Sequence, residues 1–176
     1  WCLTVPKQDR NFHEVILSQN YFYEFYDIDN ELLPSKGQNL DEKMNPESML
    51  NNFLEIRKMF FKMKKIPTHY IENEYYVSEA SKYNENGNLI KISLHIVFRN
   101  IFQNEYFIQY YRELQQYIKD KNIQNHGLDF GLVRNDRTLR LIGSTKVGEK
   151  RFLKPLKSHE PSVKAHQNKE YEKFII

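Results

Sequence analysis

Asp27 and Asp29 stand two residues apart in Phe25-Tyr26-Asp27-Ile28-Asp29, inside an aromatic-rich run that reads as a β-strand. Alternate side chains of a strand share a face, so the two carboxylates lie about 6 to 7 Å apart on one side, with Tyr26, Ile28 and Asn30 on the other. Two acids in apolar surroundings repel each other and are costly to desolvate unless a cation neutralises them. Mg²⁺ or Mn²⁺, which take oxygen ligands, would do this. Without a cation, the pair is a strand end where two acids reach solvent before the turn at Pro34-Ser35-Lys36-Gly37.

Ser93-Leu94-His95-Ile96-Val97-Phe98 repeats the spacing. Ser93 and His95 share one face and Leu94, Ile96 and Phe98 the other, so a polar pair interrupts an otherwise apolar strand. Hydroxyl and imidazole both donate to phosphate oxygens; a histidine satisfied inside the fold is the structural alternative. A third stretch runs from Asp129 to Lys146 and holds one more strand-edge acid, Arg140 on a strand, and the loop Gly143-Ser144-Thr145-Lys146. Small residues let a loop backbone approach phosphates, and lysine adds a point charge. The spacing Gly-x-x-x-x-Gly-Lys-Ser/Thr of the common phosphate-binding loop is absent.

These residues need a scaffold, and the chain can supply one. At 176 residues, with 40% hydrophobic, 28% charged and 14% aromatic content, it has the composition of one folded domain. Trp1 at the start and an apolar finish suggest a domain excised from a longer protein. The single cysteine excludes an internal disulfide and a cysteine-based zinc site within these residues and favours a reducing, intracellular setting. No stretch approaches the ~20 apolar residues of a membrane span. Charge is uneven: between Arg134 and Lys157 eight basic residues face two acidic ones, a balance of +6 in a chain of net +3. Arg134, Arg137, Lys150 and Arg151 in this run are candidates for nucleic-acid phosphates, and a solvated surface loop is the bland reading.

Periodicity supplies the elements. Tyr21 to Ile28 reads as a strand. Pro46 to about Lys65 reads as a helix with Asn45 as N-cap and Pro46 at the first helical position. Strands are expected over Tyr70 to Ser78 and Leu89 to Phe98, joined through Asn84-Glu85-Asn86-Gly87-Asn88. A second helix, Asn104 to Lys119, has Phe107, Ile108, Tyr111, Leu114, Gln115 and Ile118 as its inner stripe. A hairpin of strands is expected over Phe130 to Val133 and Thr138 to Ile142, then a connector over 157–169 and the start of a helix at 170–176. The sum predicts an α+β sandwich, a mostly antiparallel sheet with helices on one face.

Asp-x-Asp on a strand, Ser-x-His on a later strand, then an Asp followed eleven residues on by Arg140-Leu141-Ile142-Gly143-Ser144-Thr145-Lys146 resembles the three motifs of the archaeo-eukaryotic primase superfamily. The similarity is greatest to primases and primase-polymerases of large DNA viruses, mobile elements and eukaryotes, and it covers about residues 21–155. It implies an RRM-like, primase-type catalytic core over the whole chain, with 1–20 a reduced N-terminal part and 156–176 a connector and terminal helix. Asp27, Asp29 and Asp129 would be the catalytic acids holding Mg²⁺ or Mn²⁺. Ser93, His95, Arg140, Ser144 and Lys146 would bind the nucleotide. The implied reaction is nucleotidyl transfer from NTP or dNTP to a 3′-hydroxyl on a single-stranded DNA template, with a helicase fused downstream or acting in trans. The chain departs from the family in its short N-terminal part and in lacking a cysteine-histidine cluster after the third motif, which puts template grip and initiation in question.

Two other classes compete. A rolling-circle replication endonuclease would draft Tyr106, Tyr110, Tyr111 or Tyr117 as nucleophile, but wants a second histidine where Ser93 stands. A catalytically inactive nucleic-acid-binding subunit would not need three acids on a face meant for phosphates.

Overall fold

The structure, a computed structural model, describes residues 13–16, 21–32, 44–132, 137–140, 142–146, 148–149 and 151–159. The main sheet is built from β2 (Tyr21–Glu31), β3 (Tyr75–Glu79), β5 (Leu89–Gln103) and β7 (Lys154–Pro155), in the order β2-β5-β3-β7, with β4 (Lys82–Tyr83) also on β5. A separate pair joins β1 (His13–Ile16) to β6 (Arg137–Arg140). Every pairing among the described strands is antiparallel. With α1 (Pro46–Met63), α2 (Thr68–Ile71) and α3 (Asn104–Asp120), this is an α+β fold with an antiparallel sheet.

The α1 start is encoded locally. Asn45 accepts from the Ser48 amide at 2.9 Å, Ser48 Oγ accepts from the Asn45 amide at 2.9 Å, and Pro46 fits the first turn, where no amide donor is needed. The β3–β5 connection turns where Asn-Gly predicts it. Gly87 sits at φ +78°, and Asn84 Oδ1 accepts from the Asn86 and Asn88 amides.

Register divides the sheet into two faces. Glu24–Phe98, Tyr26–Ile96, Ile28–Leu94 and Val77–Ile96 are cross-strand partners on the face that the helices cover. Tyr26 there touches Phe53 of α1 and stacks on Tyr111 of α3, with ring centroids 4.6 and 5.5 Å apart. Fully burying each such ring stabilises the fold by about 1.5–3 kcal/mol. No helix among the described residues is long and apolar enough to cross a membrane.

That core contains an ion pair the hydrophobic pattern does not announce. Glu24 (0% exposed) and Arg57 (2%) meet in a two-pronged bond, Nε–Oε1 2.7 Å and Nη2–Oε2 2.8 Å. The guanidinium also donates to the Tyr70 and Ile71 carbonyls and lies between the Phe61 and Phe98 rings, 4.1 and 3.8 Å from their centroids. Tyr26, bonded also to Tyr110, and Asn100 donate to the same carboxylate. Burial alone would weaken the charge on Arg57, but Glu24 overrides it and holds its pKa above the ordinary value.

The sequence expectations need four corrections. The strand expected from Tyr70 begins only at Tyr75, because residues 68–71 close a helical turn whose Tyr70 and Ile71 carbonyls receive Arg57. The strand from Leu89 continues through a bulge to Gln103 and leads directly into α3. Phe130–Leu132 is a 3₁₀ turn rather than a strand, and β6 pairs with β1 instead of forming the expected hairpin. On α3, Tyr110 and Tyr117 are buried, whereas Ile108 and Gln115 are only half so. Of the connector, Lys157–His159 form a 3₁₀ turn, and the helix expected at 170–176 lies outside the described residues.

Candidate functional site

On the sheet face opposite the helices, the register sets Asp27 beside His95 and Asp29 beside Ser93 as direct cross-strand partners. Residues 68 and 64 apart in sequence thereby become neighbours, and His95 Nε2 lies 3.6 Å from Asp27 Oδ1. Asp129 arrives by a different route. The segment 127–129 lies antiparallel along β2, with Asp29 N–H donating to Gly127 O (2.8 Å), Asp129 N–H to Asp27 O (2.9 Å) and Leu128 bridged to Ile28. Asp129 Oδ1 accepts the Gly131 amide at 2.7 Å, which fixes the carboxylate against the 3₁₀ turn.

This close approach depends on Gly127, at φ +65°. A Cβ there would meet Ile28 Cγ2 at 2.9 Å and Asn30 Cβ at 3.4 Å. Gly127→Ala is expected to push the segment away from β2 and destabilise the fold by about 1–3 kcal/mol, the cost of strain at a left-handed backbone position. Urea unfolding checks this; unchanged stability would show that the close approach does not depend on Gly127.

The carboxylates are not equivalent. Burial first, then the charges of Asp29 and Asp129, pushes the Asp27 pKa from 3.8 up to about 7, against the pull of Lys146 and Arg140. Asp29 is also raised by burial, but hydrogen bonds from Lys91 and Ser93 outweigh it and leave its pKa below the ordinary value. Lys91 was not among the residues singled out from sequence. Its Nζ lies 2.8 Å from Asp29 Oδ2 and 3.3 Å from Glu31, and the signal that could have found it is its place two residues before Ser93 on the same face.

Arg140, at the end of β6, is 7% exposed; burial and then Arg151 lower its pKa, and its Nε has no hydrogen-bond partner. The Ser144 loop is held by Gly143 N–H to Leu153 O (2.6 Å) and Leu153 N–H to Ser144 O (2.9 Å). Ser144 and Thr145 are buried, whereas Lys146 is exposed yet close enough to act electrostatically on both Asp27 and Asp29. Arg151 donates to Ala80 O at 2.7 Å and pairs with Glu149 at 2.6 Å, so its guanidinium braces the loop against the sheet. Arg134 and Lys150 lie outside the described residues, and only the backbone of Arg137 is described.

Asp27 Oδ1 and Asp29 Oδ1 are buried acceptors without a hydrogen-bond partner. Such oxygens, beside a third carboxylate within electrostatic range, fit a hard divalent cation. Among the described residues no group of three acids, histidines or cysteines forms a ready cage. Lys91 and the Gly131 amide each occupy a carboxylate oxygen. Mg²⁺ commonly binds through one or two carboxylates and completes its shell with water and substrate phosphates, and this donor set suits that mode.

No protein-family model matches this chain, and no curated protein matches it.

A cleft of about 600 Å³ between α1 and α2, lined by Arg57, Lys58, Lys62, Tyr75 and Phe98 among others, contains none of the candidate residues. Tyr110, Tyr111 and Tyr117 are core residues, and burial holds the first two hydroxyls well above their ordinary pKa. Of the four tyrosines weighed as nucleophiles, only Tyr106, 66% exposed, presents its ring to solvent.

Proposed function

We propose that the chain is a template-dependent nucleotidyl transferase of primase type, taking NTP or dNTP on single-stranded DNA. The observation that carries this reading is the convergence on one sheet face of Asp27, Asp29 and Asp129 with Ser93 and His95, through the β2–β5 register and the 127–129 edge pairing. A purely structural acidic patch would not need two buried, unpartnered carboxylate oxygens.

In this reading Asp27, Asp29 and Asp129 hold Mg²⁺ or Mn²⁺, which when bound supplies activation of the 3′-hydroxyl and neutralisation of the departing pyrophosphate. The residues of the chain bind and orient. Ser93 and His95 donate to the triphosphate, and Lys146 meets its outer oxygens from the exposed rim of the loop. Arg140, with its unpartnered Nε, supplies a further fixed donor. Lys91 neutralises Asp29 and is placed to turn toward an arriving phosphate. Near neutral pH and without a cation, Asp27 carries a proton that ion binding displaces. Ser93 weighs against the endonuclease reading, which needs a second histidine at that position, and burial of Tyr110, Tyr111 and Tyr117 leaves it Tyr106 alone among the four tyrosines.

Incubation with single-stranded template, labelled nucleotides and Mg²⁺ or Mn²⁺ tests the proposal; template-directed incorporation is expected, and a covalent tyrosine–DNA adduct without incorporation would favour the endonuclease. Lys146→Ala and His95→Ala are each expected to raise the KM for nucleotide by about 10- to 100-fold, the worth of a charge-assisted bond of about 1.5–3 kcal/mol. An unchanged KM in both would remove them from the triphosphate site.

A further inference from the structure

The face that carries the acids does not stop at His95. Along β5, Lys91, Ser93, His95, Val97 and Arg99 follow at alternate positions, and the register places Phe25 and Tyr76 on either side of Val97. One step further, the Arg99 amide donates to Glu74 O at 3.0 Å, while Arg99 Nη1 donates to Tyr23 Oη at 3.2 Å. The bulge in β5 turns the neighbouring Asn100 the other way, into the buried Glu24 network. Arg99 thus stays on the active-site face, about 13 Å along the strand from His95.

We propose that Tyr23 and Tyr76, set around Arg99, form a stacking platform for unpaired bases of the single-stranded DNA that feeds the site. The choice of single-stranded DNA as occupant rests on the function proposed above; the geometry of the aromatic cluster does not. The Arg99 guanidinium lies 5.5 Å from the Tyr23 ring centroid and 5.9 Å from that of Tyr76. Both rings are half-buried and Arg99 is exposed, so each ring is anchored yet open to solvent on part of its surface. Tyr21, two residues before Tyr23 and on the same side of β2, is 72% exposed and extends the aromatic strip.

Glu74 sets the character of this platform. Its carboxylate lies 3.6 Å from Arg99 Nε, offsetting much of the arginine charge, and also accepts the Tyr76 hydroxyl. A site built to grip phosphates would not place an acid there. Rings flanking a half-neutralised arginine favour base faces, which every nucleotide has, over the backbone. Continuity decides the occupant: Val97, cross-strand partner of Tyr76, joins the strip to the sheet face of the candidate catalytic acids, while the Phe25 ring turns to stack on Phe107 of α3.

The test is binding of a short fluorescent poly-dT oligonucleotide, followed by anisotropy. Tyr23→Leu with Tyr76→Leu keeps apolar bulk and removes the rings, and is expected to weaken binding by about 10- to 100-fold at ~1–3 kcal/mol per stacked base. Tyr23→Phe with Tyr76→Phe keeps the rings and is expected to bind within about twofold of the parent, since stacking does not use the hydroxyls. Undiminished binding by the leucine pair, or equal loss in the phenylalanine pair, overturns the platform. If the leucine pair lacks a melting transition, Tyr23→Leu alone carries the test with about half the expected effect on the logarithm of Kd. A strong preference for poly-rU through the same tyrosines would overturn the assignment to DNA. Poly-dT binding that depends on the rings, in a protein that incorporates no nucleotide, would leave the platform standing and remove the transferase reading. Incorporation with ring-independent binding would do the reverse.

Discussion

At pH 8, Asp27→Asn is expected to melt at a higher temperature than the parent while losing nucleotide incorporation by about three orders of magnitude, since the transferase proposal makes Asp27 a ligand of the reaction's cations. The two effects have opposite signs because Asp27 is held in the fold at a cost. Burial and the neighbouring carboxylates raise its pKa from 3.8 to about 7. Between those values the folded chain keeps a proton that the unfolded chain releases, so stability falls as pH rises through that window and levels off above about pH 8. A shift of this size corresponds to at most about 4 kcal/mol, or several degrees of melting temperature in a chain of this length. The amide of Asn removes the ionisation, so the gain is expected at pH 8 and should vanish near pH 4, where both side chains are neutral. On the same proposal Mn²⁺ binds the ionised, folded form, so it should raise the melting temperature of the parent at pH 8 but not that of Asp27→Asn. Thermal shift at the two pH values, with and without Mn²⁺, reads all of this. An Asp27→Asn protein that is no more stable than the parent at pH 8 would contradict the strained-acid picture.

The second large effect lies on the other side of the sheet. Arg57→Met leaves the Glu24 carboxyl buried without its cation, while the Tyr70 and Ile71 carbonyls lose their donor. Breaking a buried pair in this way costs about 3–5 kcal/mol, a large part of the 5–15 kcal/mol of an ordinary domain. Glu24→Gln keeps an oxygen for Tyr26 but strands the guanidinium, with a similar expected loss. Combined, the two substitutions should cost at least about 2 kcal/mol less than the sum of the singles, because the orphaned charge is present in neither half of the pair. Recovery is expected to be incomplete, since the Tyr70 and Ile71 carbonyls remain unserved. Urea unfolding of the four proteins gives the coupling energy, and full additivity would show that the charges do not depend on each other. Because this network faces the helices and not the acids, the folded variants should keep the parent's KM for nucleotide in the proposed reaction.

Much of the site could be read from local pattern. Alternation placed Asp27 with Asp29, and Ser93 with His95, on common faces, because strand geometry has a period of two regardless of partner. The capping box at Asn45 and the Asn-Gly turn were equally legible, since they are satisfied within a few residues. By contrast, Tyr70 to Ser78 has the aromatic and β-branched content of a strand, yet its first residues coil into a turn that offers carbonyls to Arg57. Tertiary demand for hydrogen-bond partners outweighed propensity there. Phe130–Leu132 departs from the expected strand for a related reason: the Asp129 carboxylate accepts the Gly131 amide, a local bond that competes with extension.

By itself, then, the sequence determined which residues share a face, where the elements turn, and that three acids needed company to be tolerated. Only the tertiary structure decided what that company is. The β2–β5 register sets Asp27 against His95, the 127–129 segment lies along a strand about a hundred residues earlier, and Lys91 pairs with Asp29. These are pairings between distant segments, set by which hydrophobic faces pack together, and period and propensity carry no information about them.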